Sequence, residues 1–166
     1  MGIVCGATIV AQRGRVKHLL VVYHTQSGAS EDLACAAVRA ARAEEGVEVR
    51  LLRALEAGAD DLRWADGVLF VTPENFGYLS GGMKDFLDRT FYAVLAEQLN
   101  LPYAVIISAG NDGSSALRQL QRILLAYPMR EIAEPLIVHG EPGAADLLKA
   151  GETGLALAAG LALGIF

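Results

Sequence analysis

The sequence predicts an α/β fold: a doubly wound, five-stranded parallel sheet with helices on both faces. Three observations carry this. Short apolar runs alternate with longer segments of helical period. The runs are apolar at nearly every position, as strands buried on both faces are. No internal repeat or linker interrupts the alternation, so one domain accounts for residues 17–166, preceded by an N-terminal arm over residues 1–16.

The elements follow in order. Leu19-Leu20-Val21-Val22-Tyr23 reads as the first strand. Residues 31–45 form a helix with the apolar stripe Leu33, Ala37, Val38 and Ala41, stopped by Gly46 where a terminating glycine usually stands. Cys35, inside this helix, reads as a small buried hydrophobe. Residues 47–52 form the second strand, and a short helical turn over 60–65 leads to the third, residues 67–72. A long helix is predicted over 80–97. Met83, Phe86, Leu87, Thr90, Phe91, Val94 and Leu95 point inward, and Lys84, Asp85, Asp88 and Arg89 outward. Pro102 introduces the fourth strand, residues 103–108, and the next helix carries the stripe Leu117, Leu120, Leu124 and Tyr127. Residues 135–138 close the sheet, and residues 152–163 form a last helix. From Gly154 to Leu163 that helix has no polar face, so it is either deeply buried or shared with another subunit.

Composition narrows the function classes. With 53% hydrophobic and 20% charged residues the chain is no disordered one, and 166 residues suffice for a sizeable core. A net charge of −5 argues against nucleic acid or an anionic membrane as the main partner. Cys5 and Cys35 are too few for a disulfide framework. No segment reaches the ~20 apolar residues of a membrane span. Arg13, Arg15 and Lys17 follow the apolar N-terminal stretch rather than precede it, the wrong order for a signal peptide. Gly6 stands where a myristoylation motif has Ser or Thr. A cytoplasmic location is expected. Val4, Thr8, Ile9 and Val10 suit a short strand against the sheet or a neighbouring subunit.

In a doubly wound sheet, ligands gather at the carboxyl ends of the strands. Three loops lie at that edge. The first, Thr25-Gln26-Ser27-Gly28-Ala29-Ser30, joins a strand directly to a helix, which brings hydroxyls, backbone N–H groups and a positive helix end to one point. That is a phosphate cradle without Lys or Arg; the same residues also suit a plain helix cap. The second runs from Thr72 to Gly82 with two aromatics and three glycines between strand and helix, and the third is Ser108-Ala109-Gly110-Asn111-Asp112-Gly113. Together they suit a planar ring with a phosphate tail. A nucleotide P-loop needs Gly-Lys-Ser/Thr, which the first loop lacks, and a dinucleotide fingerprint needs three glycines where this loop has one. His24 and Thr72 stand where a phospho-receiver carries acids, and the first loop lacks the cysteine of a low-molecular-weight phosphatase.

On these motifs the chain, from about Lys17 onward, resembles the flavodoxin-like flavoproteins. Thr25-x-Ser27-Gly28-x-Ser30 matches their Thr/Ser-x-Thr/Ser-Gly-x-Thr/Ser FMN-phosphate loop. The segment Thr72 to Arg89 is similar to the second flavin loop and following helix of the NAD(P)H-dependent FMN and quinone reductase branch, and Ser108-Ala109-Gly110 with Gly113 to the third. It carries Glu74-Asn75-Phe76 where many FMN reductases have Glu-Tyr-Asn.

The resemblance implies a flavodoxin-like sheet and an FMN site. Thr25, Ser27, Ser30 and the amides of Gln26, Ser27, Gly28 and Ala29 would hold the phosphate. Pro73, Glu74, Asn75, Phe76, Gly77, Tyr78, Ser108, Ala109, Gly110 and Gly113 would meet the isoalloxazine edge. Tyr78 or Phe76 would stack on the ring or else serve core or dimer packing. His24 is a flavin neighbour or a plain strand residue, and His18 and His139 lack companions for a metal site.

The function implied is an FMN-dependent NAD(P)H oxidoreductase, passing electrons to a quinone or similar small acceptor. The cofactor carries the redox chemistry, so no catalytic side chain and no metal ligand is named. The alternative is a flavodoxin-type carrier without its own turnover; a third reading is a flavin-binding interaction protein that has lost turnover. A homodimer or tetramer is expected from the last helix.

Overall fold

The computed structural model describes residues 15–166. Apart from its last two residues, the expected N-terminal arm lies outside them. The chain runs β1 (Lys17–Tyr23), α1 (Ala29–Ala41), β2 (Val47–Arg53), α2 (Ala59–Trp64), β3 (Gly67–Asn75), β4 (Tyr78–Leu79) and α3 (Gly81–Val94), then a 3-10 turn (Leu95–Glu97). It continues through β5 (Pro102–Ala109), α4 (Ser114–Ala126), β6 (Arg130–Glu131), β7 (Leu136–His139) and α5 (Ala144–Ala162).

The strand order is β2-β1-β3-β5, with β6 and β7 both paired to the far side of β5. These strands are parallel, and only β4 runs antiparallel, folded back on β3 as a hairpin. The five expected strands are present in a parallel sheet; the two-residue β4 and β6 are additions too short for periodicity to reveal. From β1 the chain moves outward to β2, then crosses back to β3 and onward. The loops leaving β1 and β3 therefore diverge and open a crevice at the carboxyl edge.

Side chains from alternate positions fill two cores. Leu20, Val22, Val68, Phe70, Val105 and Ile107 pack toward α3 and α4. Leu19, Val21, Leu69, Val71, Ala104 and Ile106 pack toward α1 and α5. Burial on both faces explains why the strands read as continuous apolar runs.

Three expectations need correction. Leu95, expected to point inward, lies past the end of α3 in the 3-10 turn and is exposed. Cys35 is exposed, not buried: Leu33, Ala34, Ala37, Val38 and Ala41 take the inner face of α1, and Cys35 falls with Asp32 and Arg39 on the outer one. The last helix begins at Ala144 rather than near residue 152. Its start is fixed by Asp146, whose Oδ2 accepts from the Gly143 amide at 3.0 Å. Gly151 and Gly154 look like helix breakers in the sequence, but they are where α5 meets α1. A β-carbon on Gly154 would lie 2.3 Å from the Ala37 carbonyl oxygen. The inner side of α5 is thus buried, while Leu148, Leu155 and Leu163 remain exposed. No helix among the described residues is long and apolar enough to cross a membrane.

Candidate functional site

The turn from β1 into α1 is built by Thr25 and Gly28. The Thr25 hydroxyl accepts from the Gly28 amide at 3.0 Å, and Gly28 takes a φ of 103°, which an L side chain rarely adopts. No side chain caps α1, so the amides of its first turn face the crevice without a side-chain partner. Ser30 is 1% exposed, and its Oγ has no hydrogen-bond partner. Buried hydroxyls are nearly always satisfied, so this one marks a place where a partner fits.

His24 lies behind this turn. Its ring packs on Gly82 at the start of α3, where a β-carbon would come 2.3 Å from Cδ2, and its Nδ1 is also buried without a partner. Burial first, and the Arg53 charge second, hold its pKa below the ordinary histidine value. The folded state therefore resists a proton that the unfolded chain takes up near pH 6.5. Stability should stay level above that pH and decline as the pH falls below it toward the lowered value. Melting temperatures of wild type and His24→Gln across this range check it; equal slopes for the two would remove His24 as the cause.

The second loop is a tight hairpin. Phe76 and Gly77, with φ of 52° and 68°, form its tip, which requires two left-handed residues. Phe76 is fully exposed there. Beneath the tip, Thr72 Oγ1 and Ser80 Oγ lie 2.7 Å apart in a buried contact that pins the hairpin's base. Consecutive strand residues point to opposite sides. The Glu74 carboxylate accordingly reaches α4, accepting from the Gly113 amide at 3.3 Å and the Ala116 amide at 3.2 Å. Asn75 reaches the first loop, its Nδ2 donating to Gln26 Oε1 at 3.0 Å. Gly113 itself has a φ of 75° and Ile137 Cγ2 within 2.6 Å of where a β-carbon would stand, so only glycine fits.

The loops enclose a cavity of about 520 Å³. Of the sequence-predicted residues, Ser27, Ala29, Pro73, Glu74, Asn75, Ser108, Ala109 and Gly110 line it. Thr25, Gln26, Gly28 and Ser30 frame the first turn without lining it, and Gly113 caps α4. Phe76 and Gly77 stand at the hairpin tip. Tyr78 faces a groove between α3 and α4, its hydroxyl donating to Gln119 Oε1 at 3.3 Å.

Sequence reasoning missed Asp32 and a fourth loop, Gly140-Glu141-Pro142, which follows β7 and closes the cavity's far side. The Gly-Glu-Pro-Gly turn after the last strand was the available signal. Among the described residues that line the cavity none is Lys, Arg or His, while Asp32, Glu74 and Glu141 are acidic. An anion here would have to be held by neutral donors and a helix end, against the nearby carboxylates.

Comparison with known proteins gives a consistent result. Residues 53–141 match the family described as NADPH-dependent FMN reductase. A flavodoxin of Aquifex aeolicus is 41% identical over 70 residues, covering 42% of this chain and 38% of that protein. An NAD(P)H dehydrogenase (quinone) of Acidithiobacillus ferrooxidans is 35% identical over 95 residues, covering 45% of this chain and 48% of that protein. The matches span less than half the length of these curated relatives. A solved archaeal flavodoxin superposes with a TM-score of 0.78 at 20% identity, over 87% of this chain and 98% of that one, and so shares its fold.

Proposed function

Because the chain belongs to the NADPH-dependent FMN reductase family, we propose that it binds FMN in the cavity at the start of α1 and works as an NAD(P)H-dependent oxidoreductase. The carrying observation is the cradle itself: an uncapped helix start, and beside it a buried Ser30 hydroxyl without a partner. These fit a phosphate, which accepts hydrogen bonds from both. The cavity's 520 Å³ is of the size that small-molecule sites have, about 300–1,000 Å³.

In this reading the hydroxyls of Ser27 and Ser30 donate to the phosphate, and Thr25 holds the turn. Pro73, Asn75, Ser108, Ala109 and Gly110 border the ring. Bound FMN would supply the two-electron chemistry; the chain supplies position and electrostatics. NAD(P)H as donor is supported by the family's description, and a quinone as acceptor by the quinone dehydrogenase relative. The exposed leucines of α5 suit the expected homodimer or tetramer. The Aquifex flavodoxin relative favours the second reading, a carrier without turnover of its own.

The test is to load the chain with FMN and add NADPH or NADH without oxygen. Rapid loss of the visible flavin absorbance, restored by a quinone, is the expected result. Flavin that stays oxidised with either nucleotide removes the reductase and supports the carrier. Failure to bind FMN removes both readings.

A further inference from the structure

The Glu74 carboxylate lines the cavity and yet points its oxygens at the start of α4, accepting from Gly113 and Ala116. It therefore spans from the carboxyl end of β3 to the start of α4, the two walls between which the ring of a bound flavin would lie. The other carboxylate at this helix start, Asp112, caps the Ser114 amide from the exposed side at 3.1 Å. Glu74 is the one on the cavity side. A helix start carries a partial positive charge, and a carboxylate across its first amides offsets it.

We propose that Glu74 is a positioning residue with two separable effects on this site, an inference that rests on the FMN reading. Its reach fixes the spacing of the two loops that wall the slot. Its charge screens the positive start of α4 from the flavin. Asn75, one residue on and pointing the other way, ties the same strand end to the first loop through Gln26, so β3 ends as the common brace of all three loops. The sequence motif around Glu74 suggested direct flavin contact; the bonding of both carboxylate oxygens assigns it to the scaffold instead.

Two variants separate reach from charge. Glu74→Asp keeps the charge but is one methylene short of both amides. Glu74→Gln keeps the reach, loses the charge and offers a single acceptor oxygen. FMN affinity is read by quenching of flavin fluorescence in the full chain, and the flavin midpoint potential by spectroscopic titration. Glu74→Asp should weaken FMN about tenfold, since walls held less rigidly lose preorganisation, with the potential near that of wild type. Glu74→Gln should raise the potential, favouring reduced over oxidised flavin about tenfold, roughly 30 mV for a two-electron couple. Wild-type affinity in Glu74→Asp, or an unmoved potential in Glu74→Gln, overturns the assignment. A wild-type chain that binds no FMN removes the underlying reading, a result distinct from either.

Discussion

Gly154→Val is expected to destabilise the chain by about 3 kcal/mol, a large fraction of the ~5–15 kcal/mol that typically holds a domain together. The reason is local. Gly154 faces the backbone of α1, and a β-carbon would come 2.3 Å from the Ala37 carbonyl oxygen and 2.8 Å from its carbon. Backbone cannot swing aside as the end of a flexible side chain can, so α5 must lift off α1. That would open the core made by Leu33, Ala37, Leu157 and Leu161. Gly151, one turn earlier, makes the contrast. A β-carbon there meets Ala40 Cβ at 3.4 Å, an ordinary contact. Gly151→Ala should therefore be neutral or stabilising by up to about 1 kcal/mol through helix propensity and a less flexible unfolded chain. Urea unfolding of the two variants checks the pair. Equal midpoints would show that the helices do not meet at Gly154.

Ser30→Ala should move two measurements in opposite directions. Its Oγ is buried without a partner, so removing it relieves an unsatisfied polar group and should stabilise the FMN-free chain by about 1 kcal/mol. If that hydroxyl bonds the phosphate, the same change should weaken FMN by about 1–1.5 kcal/mol, roughly five- to tenfold. Ser27, exposed and lining the cavity, offers a control. Ser27→Ala should weaken FMN without stabilising the free chain. Unchanged affinity in Ser30→Ala would place the phosphate elsewhere.

Much of the architecture was legible in the residues alone. Alternating apolar runs and helical stripes are local patterns, and burial on both faces of a parallel sheet imposes them on each strand separately. The hydroxyl loop after β1 was readable for a similar reason, because a strand turning directly into a helix needs few residues to declare itself. What connects distant residues was not readable. Whether a helical position such as Cys35 faces in or out depends on which side neighbouring elements cover, and small residues such as Ala36 and Ala40 leave that open.

The sequence by itself determined the order of strands and helices and the three loops gathered at one edge. Only the tertiary structure decided how those loops meet. It brought Glu74 to the start of α4, Asn75 to Gln26, and the Gly140–Pro142 turn to the cavity's far wall. It also turned Tyr78 toward Gln119. The physical reason is that periodicity reports each segment's own face, whereas these hydrogen bonds join residues 39 to 49 positions apart and arise only when the sheet order closes them together.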